Sequence, residues 1–566
     1  MSDWQPPCLF YVHSLLFSHG WCTTTGTSLD WSCPVPYKEL IGGALNFLLP
    51  TTSPDEKIFE SDSPPPVRPE RTALLAAVLV LLTRLPFLLP GYGLHQDGWM
   101  LMLAGRWMSE HRWHYLCSRL PGYPFQEFID SFLWHGGPLL VNSITALLCA
   151  AMVFFFVLIL HFYRCRDALL AGLALAFVPM TYIASVMAKD YIWALTFAVA
   201  AFYFALRRRP VPAGVLLGLG VGCRVTTLGM LPFLLLLLFN PPDGDETPSD
   251  VPDSGKNVRL AITMGACTLL TSVLCFLPVY LHFGRGFFTY YPAHMPPFSI
   301  LANMTVRFWG VLGLLALLIA LISLTYAAGR RGPSTFARRP AKAHRRIWLA
   351  LVLCYFLLFL KLPLEAAYLL PALPFFLLCL GEALPQRSFR IFCVALLIAP
   401  FLFTLRGAMA PPSPALFSAR VHNYQLRLFW AGPLLDETQC RIRQRAYLDA
   451  LWKFAETQKT PTVIVAVWNM PMIDLFLLTH GGALHPVPVA ERPHPWCWEK
   501  SFHGEEPHGL VEFRCLLTPG QFDSLRREGK TIYCVPDMQQ SFCTRLGFDP
   551  FTHGAKIVLL PCFNHD

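Results

Sequence analysis

Residues 137–162 read GPLLVNSITALLCAAMVFFFVLILHF, a stretch without one Asp, Glu, Lys or Arg. A helix crosses a hydrocarbon core with about 20 mostly apolar residues, so this stretch sets the class as a membrane span. Further candidates lie before it at 72–92 and after it at 168–187, 191–206, 212–225, 228–239, 259–281, 300–327, 347–362, 365–383 and 390–405, roughly eleven in all. Several are short and separated by one or two polar residues. Such pairs suggest helices that stop part-way and line a cavity, where irregular backbone is permitted.

The composition of the 566 residues agrees. Hydrophobic residues make up 54%, charged residues 14%, and the mean hydropathy is +0.44. A soluble domain carries about 25% charged residues, so a soluble enzyme, a disordered scaffold and a fibrous protein are all excluded. The 49 prolines and 44 phenylalanines fit a polytopic membrane chain, since neighbouring helices re-satisfy the backbone groups that Pro frees. The net charge of +9 reports topology, and nucleic acid is not an expected partner. Eighteen cysteines show no CxxC spacing, so zinc and thioredoxin-type chemistry have no support.

Orientation follows the basic loops. Arg164 and Arg166, Arg207 to Arg209, the 328–346 loop with its seven Lys and Arg, and Arg387 with Arg390 fall on one side if the first helix runs outward. Residues 1–70 are then a cytoplasmic, poorly ordered segment, 71–405 a transmembrane domain and 406–566 extracytoplasmic. The first 70 residues lack the basic start and long apolar core of a signal peptide, and SPPPVRPER (63–71) reads as a linker. The Pro/Asp/Ser stretch 240–258 reads as a flexible loop.

After 406 the pattern changes. Apolar runs at 463–467, 511–517, 530–535 and 556–560 alternate with the amphipathic segments PGQFDSLRREG and DMQQSFCTRLG, as in a small α/β domain. Cys440, Cys497, Cys515, Cys534, Cys543 and Cys562 are either paired or buried thiols. The fold expected is therefore mainly α: a polytopic membrane protein of about eleven helices with a small C-terminal extracytoplasmic α/β domain.

Ionisable residues at the membrane edge are costly and point to function. On the outer side Asp97 heads the first loop, followed by SRLPGYPFQE with Arg119 and Glu127. Asp97 and Asp190 could instead cap the helices that follow them, and Arg119 could simply pair with Glu127. Arg224 ends a helix carrying Gly214, Gly218, Gly220 and Gly222, residues that allow close helix packing. It would either grip a lipid phosphate bidentately or snorkel to a headgroup. Lys361, Glu365 and Tyr368 occupy a break between helices, with a Lys361–Glu365 ion pair as the plain alternative. The aromatic loop 282–298 reads as an interfacial belt or a sugar platform. Asn303-Met304-Thr305 is a sequon set at a helix start, close to the bilayer. No P-loop, HExxH or GxSxG motif is present.

Across 72–405 the chain resembles the GT-C glycosyltransferase superfamily, in the neighbourhood of the protein O-mannosyltransferase, aminoarabinose-transferase and RgtA/B/C/D-like groups. Four landmarks in order carry the resemblance: HQDG followed by SRLPGYPFQE, the Asp of MAKDYIWAL, the AGVLLGLGVGCR helix and LEAAYLLPALP. Gly98 follows Asp97 where the eukaryotic protein mannosyltransferases have a second acid. The resemblance implies transfer of a sugar from a polyprenyl- or dolichyl-phosphate donor to an extracytoplasmic acceptor, with inversion. Asp97 would be the general base, Arg224 with Lys361 or Arg119 would neutralise the departing phosphate, and Glu127 and Asp190 would orient the reactants. Glu365 and Tyr368 join the substrate-binding set. A divalent metal is not required, although some relatives use one. The membrane implied is a prokaryotic plasma membrane, with the endoplasmic reticulum as the alternative. A lipid-linked sugar flippase would share the groove and cations without needing a base, and an assembly protein would need neither.

Overall fold

The computed structural model describes residues 68–111, 115–240, 254–284, 295–327, 335–406, 415–421, 424–465, 475, 506–508, 510–514, 517–534 and 549–557. The N-terminal segment to residue 67, most of the 240–258 loop, residues 285–294 of the aromatic loop, Arg330 and Arg331, DMQQSFCTRLG, and Cys497, Cys515, Cys543 and Cys562 lie outside the described residues.

Fifteen helices precede the first strand among the described residues. They are α1 (Pro69–Arg84), α2 (Gln96–Glu110), α3 (Pro124–Leu133), α4 (Gly137–Phe162), α5 (Ala168–Phe177), α6 (Pro179–Ala184), α7 (Asp190–Leu206), α8 (Pro210–Cys223), α9 (Leu231–Phe239), α10 (Ser254–Phe283), α11 (Pro297–Met304), α12 (Val306–Ala327), α13 (Lys342–Lys361), α14 (Leu373–Ala383) and α15 (Gln386–Ile398). Five helical stretches among them are long and apolar enough to cross a membrane: Pro124–Phe162, Gly255–Phe283, Val306–Leu324, Lys342–Lys361 and Ala366–Ala383. Length alone thus returns fewer spans than the eleven expected, because several of the apolar segments are broken into shorter helices. Their outward faces are apolar: Leu270 and Leu274 on α10 are 62% and 60% exposed, and Ile319 on α12 is 64% exposed. Such rows suit lipid rather than water, and the chain is an integral membrane protein.

The breaks have local causes. Segment 168–187 divides at Val178–Pro179, where Pro lacks the N–H that would continue the ladder. A carbonyl near that break, Ala176 O, accepts 2.5 Å from Nη2 of the fully buried Arg84, whose guanidinium lies over the Phe177 and Tyr182 rings. Segment 212–239 divides at Arg224, which is extended (φ −159°, ψ 112°), before a 3₁₀ turn (Val225–Met230). After α13 the chain is extended again at Glu365 (φ −131°, ψ 142°) and enters a 3₁₀ turn (Ala366–Ala372). Glycines let α8 approach α10 closely: a Cβ at Gly214 would stand 2.5 Å from Met264 O, and one at Gly218 2.5 Å from Thr271 Cβ.

The basic turns gather at one end of the bundle. Arg166 N donates to Thr335 O, Arg390 pairs with Asp167 at 2.8 Å, Arg345 pairs with Glu382 at 2.9 Å, and His344 bridges Tyr163 and Asn240 O. The breaks at Arg224 and Glu365 lie at the opposite end.

The expected final span 390–405 stops at Ile398, and the chain turns into a strand, β1 (Leu402–Arg406). Here Ala399 and Pro400 leave the helix, and Phe401 packs against Tyr182 and Leu434. β1 joins β2 (Phe417–Val421) and β3 (Tyr424–Ala431) in an antiparallel sheet of order β1-β3-β2. A long helix, α16 (Pro433–Glu456), follows. The tail then forms a second sheet from β4 (Thr462–Val465), β5 (Glu506–His508), β6 (Val511–Arg514), β7 (Thr531–Cys534) and β8 (Lys556–Ile557), ordered β5-β6-β4-β7-β8. Three of its four pairings are parallel. The PGQFDSLRREG segment is α17 (Pro519–Arg527), with Thr518 and Gln521 closing a reciprocal cap at its start. This is the small sheet-containing tail expected from the alternating pattern. Cys440 and Cys534 are buried free thiols.

Candidate functional site

Asp97 stands in the first turn of α2, after a loop that the rest of the protein holds from several directions. Asn142, in the uncharged α4 span, donates to Leu88 O and Gly91 O at 2.8 and 2.9 Å. Trp99 Nε1 donates to Gly93 O at 3.0 Å, and Ala188 N donates to Tyr92 O at 2.9 Å. Gly98 allows this last approach, since a Cβ there would stand 2.6 Å from Tyr92 O and 3.0 Å from Ala188 O. The loop leading into Asp97 and the loop bearing Lys189 are therefore stitched together.

Asp97 does not cap its helix. His95 holds the cap position, its Nδ1 accepting from Asp97 N at 3.4 Å. The Asp97 carboxylate faces two cations and the His95 ring instead. Its Oδ2 lies 2.6 Å from Arg119 Nη1, 3.2 Å from His95 Nδ1 and 3.9 Å from Lys189 Nζ. Oδ2 is buried, and its closest approach is the ion pair with Arg119. Burial pushes the Asp97 carboxyl up, but Arg119, with His95 and Lys189, outweighs it and holds the group well below the usual carboxylate range.

Glu365 meets the same cations from the break after α13. Lys189 Nζ and Tyr191 Oη donate to its Oε2 at 2.9 and 2.7 Å. Burial raises this carboxyl, while Lys189 and then His95 lower it, to about 2. Lys189 in turn is destabilised as a cation by burial, yet Glu365 and Asp97 raise it above its ordinary value. Asn303, 1% exposed, donates to Pro363 O and Leu364 O at 2.9 and 3.2 Å and fixes this break. That employment takes the sequon amide away from glycan attachment.

Arg224 occupies the break after α8. It pairs with Asp190, the first residue of α7, and its guanidinium lies 4.4 Å from the Tyr191 ring centre and 4.5 Å from that of Tyr368. An Arg held between two aromatic faces is fixed in place and keeps part of its fork available. Arg119 is fixed similarly: its Nε donates to Tyr123 Oη at 2.6 Å.

The structure thus brings together Asp97, Arg119, Asp190, Arg224, Glu365 and Tyr368. It adds His95, Lys189 and Tyr191, which sequence reasoning did not single out. The signal for Lys189 was present in MAKDY, a cation beside the chosen acid between two apolar helices. Glu127 is bound elsewhere: Tyr115 Oη donates to it at 2.5 Å, and Ser118 N and Oγ donate at 2.7 Å each. It holds the loop that presents Arg119. Lys361 is exposed at the end of α13, and the partner of Glu365 is Lys189.

Donor atoms of His95, Asp97 and Glu365 lie within 4.8 Å of one another, a grouping that could hold a metal ion. Arg119 and Lys189 already neutralise the two carboxylates, and an entering ion would have to displace them.

The tail reaches this site through α16. Arg441, fully buried, donates from Nη1 to Val186 O at 2.8 Å, and Gln444 Nε2 donates to Leu94 O at 3.2 Å. The two carbonyls belong to the two stitched loops.

No protein-family model matches the sequence, and no curated protein matches it. The chain is similar to the crystal structure of ArnT from Cupriavidus metallidurans in the apo state, with 12% identity, a TM-score of 0.48, and coverage of 84% of this chain and 96% of that one.

Proposed function

We propose that the protein is a membrane glycosyltransferase of the GT-C type. In this reading it moves a sugar from a polyprenyl- or dolichyl-phosphate donor to an acceptor on the outer face, with inversion, and Asp97 is the general base. The observation that carries the reading is the placement of Asp97. A buried carboxylate stands ion-paired against Arg119 and Lys189, at the helix breaks of a membrane bundle.

The charges support a coupled transfer. Asp97, Asp190 and Glu365 face Arg119, Lys189 and Arg224, so the site is balanced before a ligand enters. A donor phosphodiester brings one negative charge. The acceptor O–H loses its proton to Asp97, its oxygen bonds to the anomeric carbon, and the bond from that carbon to the phosphate oxygen breaks. The leaving phosphate monoester carries one more negative charge than the diester, and Asp97 carries one fewer. Protonation of Asp97 releases Arg119 to face the departing phosphate. A cation oriented before charge develops is the larger contribution in such steps. The low resting proton affinity of Asp97 rises once a donor phosphate draws Arg119 and Lys189 toward itself, which confines the base to the loaded enzyme. Arg224, held between Tyr191 and Tyr368, binds the phosphate. Glu365 and Tyr368 line the sugar, Asp190 orients Arg224, Glu127 positions the Arg119 loop, and Lys361 at the rim meets the lipid phosphate region. The site face and the tail are extracytoplasmic, following the basic turns at the opposite end.

The test offers a panel of radiolabelled polyprenyl-phosphate sugars to purified protein, in nanodiscs for transfer and in sealed proteoliposomes for movement across the bilayer. Sugar release or transfer by wild type and its loss in Asp97→Asn is the expected result. Movement of labelled donor across the bilayer, unchanged in Asp97→Asn and without sugar release, would overturn the enzyme reading in favour of a flippase.

A further inference from the structure

Among the described residues, one face of the three-stranded sheet has no cover. Its register places Phe417 opposite Leu428 and Leu405 opposite Leu428 on the other side, and strand side chains alternate between faces. One face therefore carries Leu405, Phe417, Leu426, Leu428 and Trp430. Phe403 joins them, its ring stacked on Trp430 with centroids 5.1 Å apart. Trp430 and Phe417 are 63% and 62% exposed. The opposite face is differently employed: Thr404 is 9% exposed, and Arg406 Nε donates to Asp436 Oδ2 of α16 at 2.7 Å. The opposite face, which also carries Leu402 and Phe429, meets the protein through Thr404 and Arg406, and the Phe417–Trp430 face turns away from it.

Phe403 has φ +62°, the left-handed region that a bulky residue adopts only under constraint. The strained residue is the one that stacks on the exposed indole. Strain held at a surface aromatic pair marks a feature whose use lies outside the fold.

We propose that this face lies on the lipid bilayer, with Trp430, Phe403 and Phe417 seated at headgroup level. Continuity names the occupant. β1 starts a few residues after α15, whose Ile391 and Ile398 are 67% and 42% exposed, and it packs against α12, whose Leu315 and Ile319 are 51% and 64% exposed. Those helices meet lipid, and the sheet extends their apolar surface at the end of the bundle that holds Asp97. Trp and other amphipathic aromatics concentrate at this boundary. A protein partner would have to cover an area already beside acyl chains. The sheet then fixes the base of α16 to the membrane surface, independently of which reaction the site performs.

The experiment uses the full chain in phosphatidylcholine–phosphatidylglycerol nanodiscs with lipids carrying a nitroxide quencher high on the acyl chain. The Trp430 signal is the difference between wild type and Trp430→Phe. It should be blue-shifted, quenched severalfold by the labelled lipid and little affected by aqueous iodide. Phe417→Trp in the Trp430→Phe background should behave alike, and Ser418→Trp on the opposite face should escape the lipid quencher. Water-like emission quenched by iodide at both 430 and 417 overturns the proposal. So does protection that vanishes when each disc holds one copy, which would assign the face to a second copy of the chain.

Discussion

Arg441 Nη1 donates to Val186 O across 2.8 Å, and through that contact the tail helix grips the loop that carries Lys189. Gln444 does the same for the loop before Asp97, through Leu94 O. Removing Arg441 leaves a buried carbonyl unpaired, at a cost of about 1–3 kcal/mol. In the proposed reaction, Arg441→Ala should lower kcat more than it raises donor KM, because Lys189 and Asp97 lose their relative placement. Arg441→Lys, which keeps a donor, should recover part of the rate. Equal effects of both variants on folding with kcat unchanged would reduce Arg441 to a packing residue.

Asp97→Asn keeps the size of the side chain and removes the base. General-base catalysis contributes about 10²–10⁴-fold, and a loss of that size in transfer rate is expected. Donor binding should persist or tighten, since Arg119 and Lys189 lose a competing carboxylate. Titration of labelled donor against both proteins measures binding, and single-turnover transfer measures the rate. Full turnover by a folded Asn variant would remove Asp97 from the chemistry.

The tail offers a pH test away from the site. Glu512 on β6 is held by Lys530 Nζ at 3.0 Å and by Arg514 Nε at 2.9 Å. Burial raises its carboxyl, but the Lys530 and Arg514 contacts outweigh that and leave it below the ordinary glutamate value of 4.5. A depressed carboxyl contributes stability that is fully present above its unfolded value and is lost as pH falls through its folded one. Amide protection factors in β6 and β7, with the intrinsic pH dependence of exchange divided out, should therefore be steady above about pH 5 and fall below about pH 4.5 in wild type. Glu512→Gln should exchange faster at neutral pH, and the difference between the two proteins should shrink as pH falls. A constant difference down to pH 3 would contradict the ion-pair origin.

Membrane class and the acids at helix breaks were legible because each depends on local chemistry. An uncharged run like 137–162 announces a span, and Asp97, Asp190, Arg224 and Glu365 stood out as charges bordering apolar helices. What the sequence did not yield was pairing. Lys361 and Glu365 are four apart, the spacing of a helical ion pair, but Leu362–Glu365 is not helical, and Glu365 reaches instead to Lys189, distant in sequence. Asp190 reads as either a cap or a cavity residue, and its carboxylate meets Arg224 because two helix breaks coincide in space. The strand at 402–406 was hidden within an apolar run that continues α15, since periodicity cannot separate the two over so few residues. The contact of α16 with the Asp97 loop is long-range and has no local signature.

Arg224 and Lys361 provide a contrast that tests which cation receives the phosphate. Arg224 is pinned by Asp190 and by the Tyr191 and Tyr368 rings, at the same cluster as Asp97, whereas Lys361 is exposed at the end of α13. A preorganised donor to developing charge is worth about 10²–10³-fold in kcat. Arg224→Ala should lose about that factor in transfer, together with donor affinity. Arg224→Lys should recover charge but not the fork, and so restore affinity better than rate. Lys361→Ala should affect donor KM alone, and by less than Arg224→Ala, because an exposed ammonium is screened by solvent. Steady-state transfer with varied donor, run on all three variants, separates these outcomes. A larger loss at Lys361 than at Arg224 would move the phosphate to the rim of the bundle and away from Asp97. The in-line geometry assigned to the base would then fail with it.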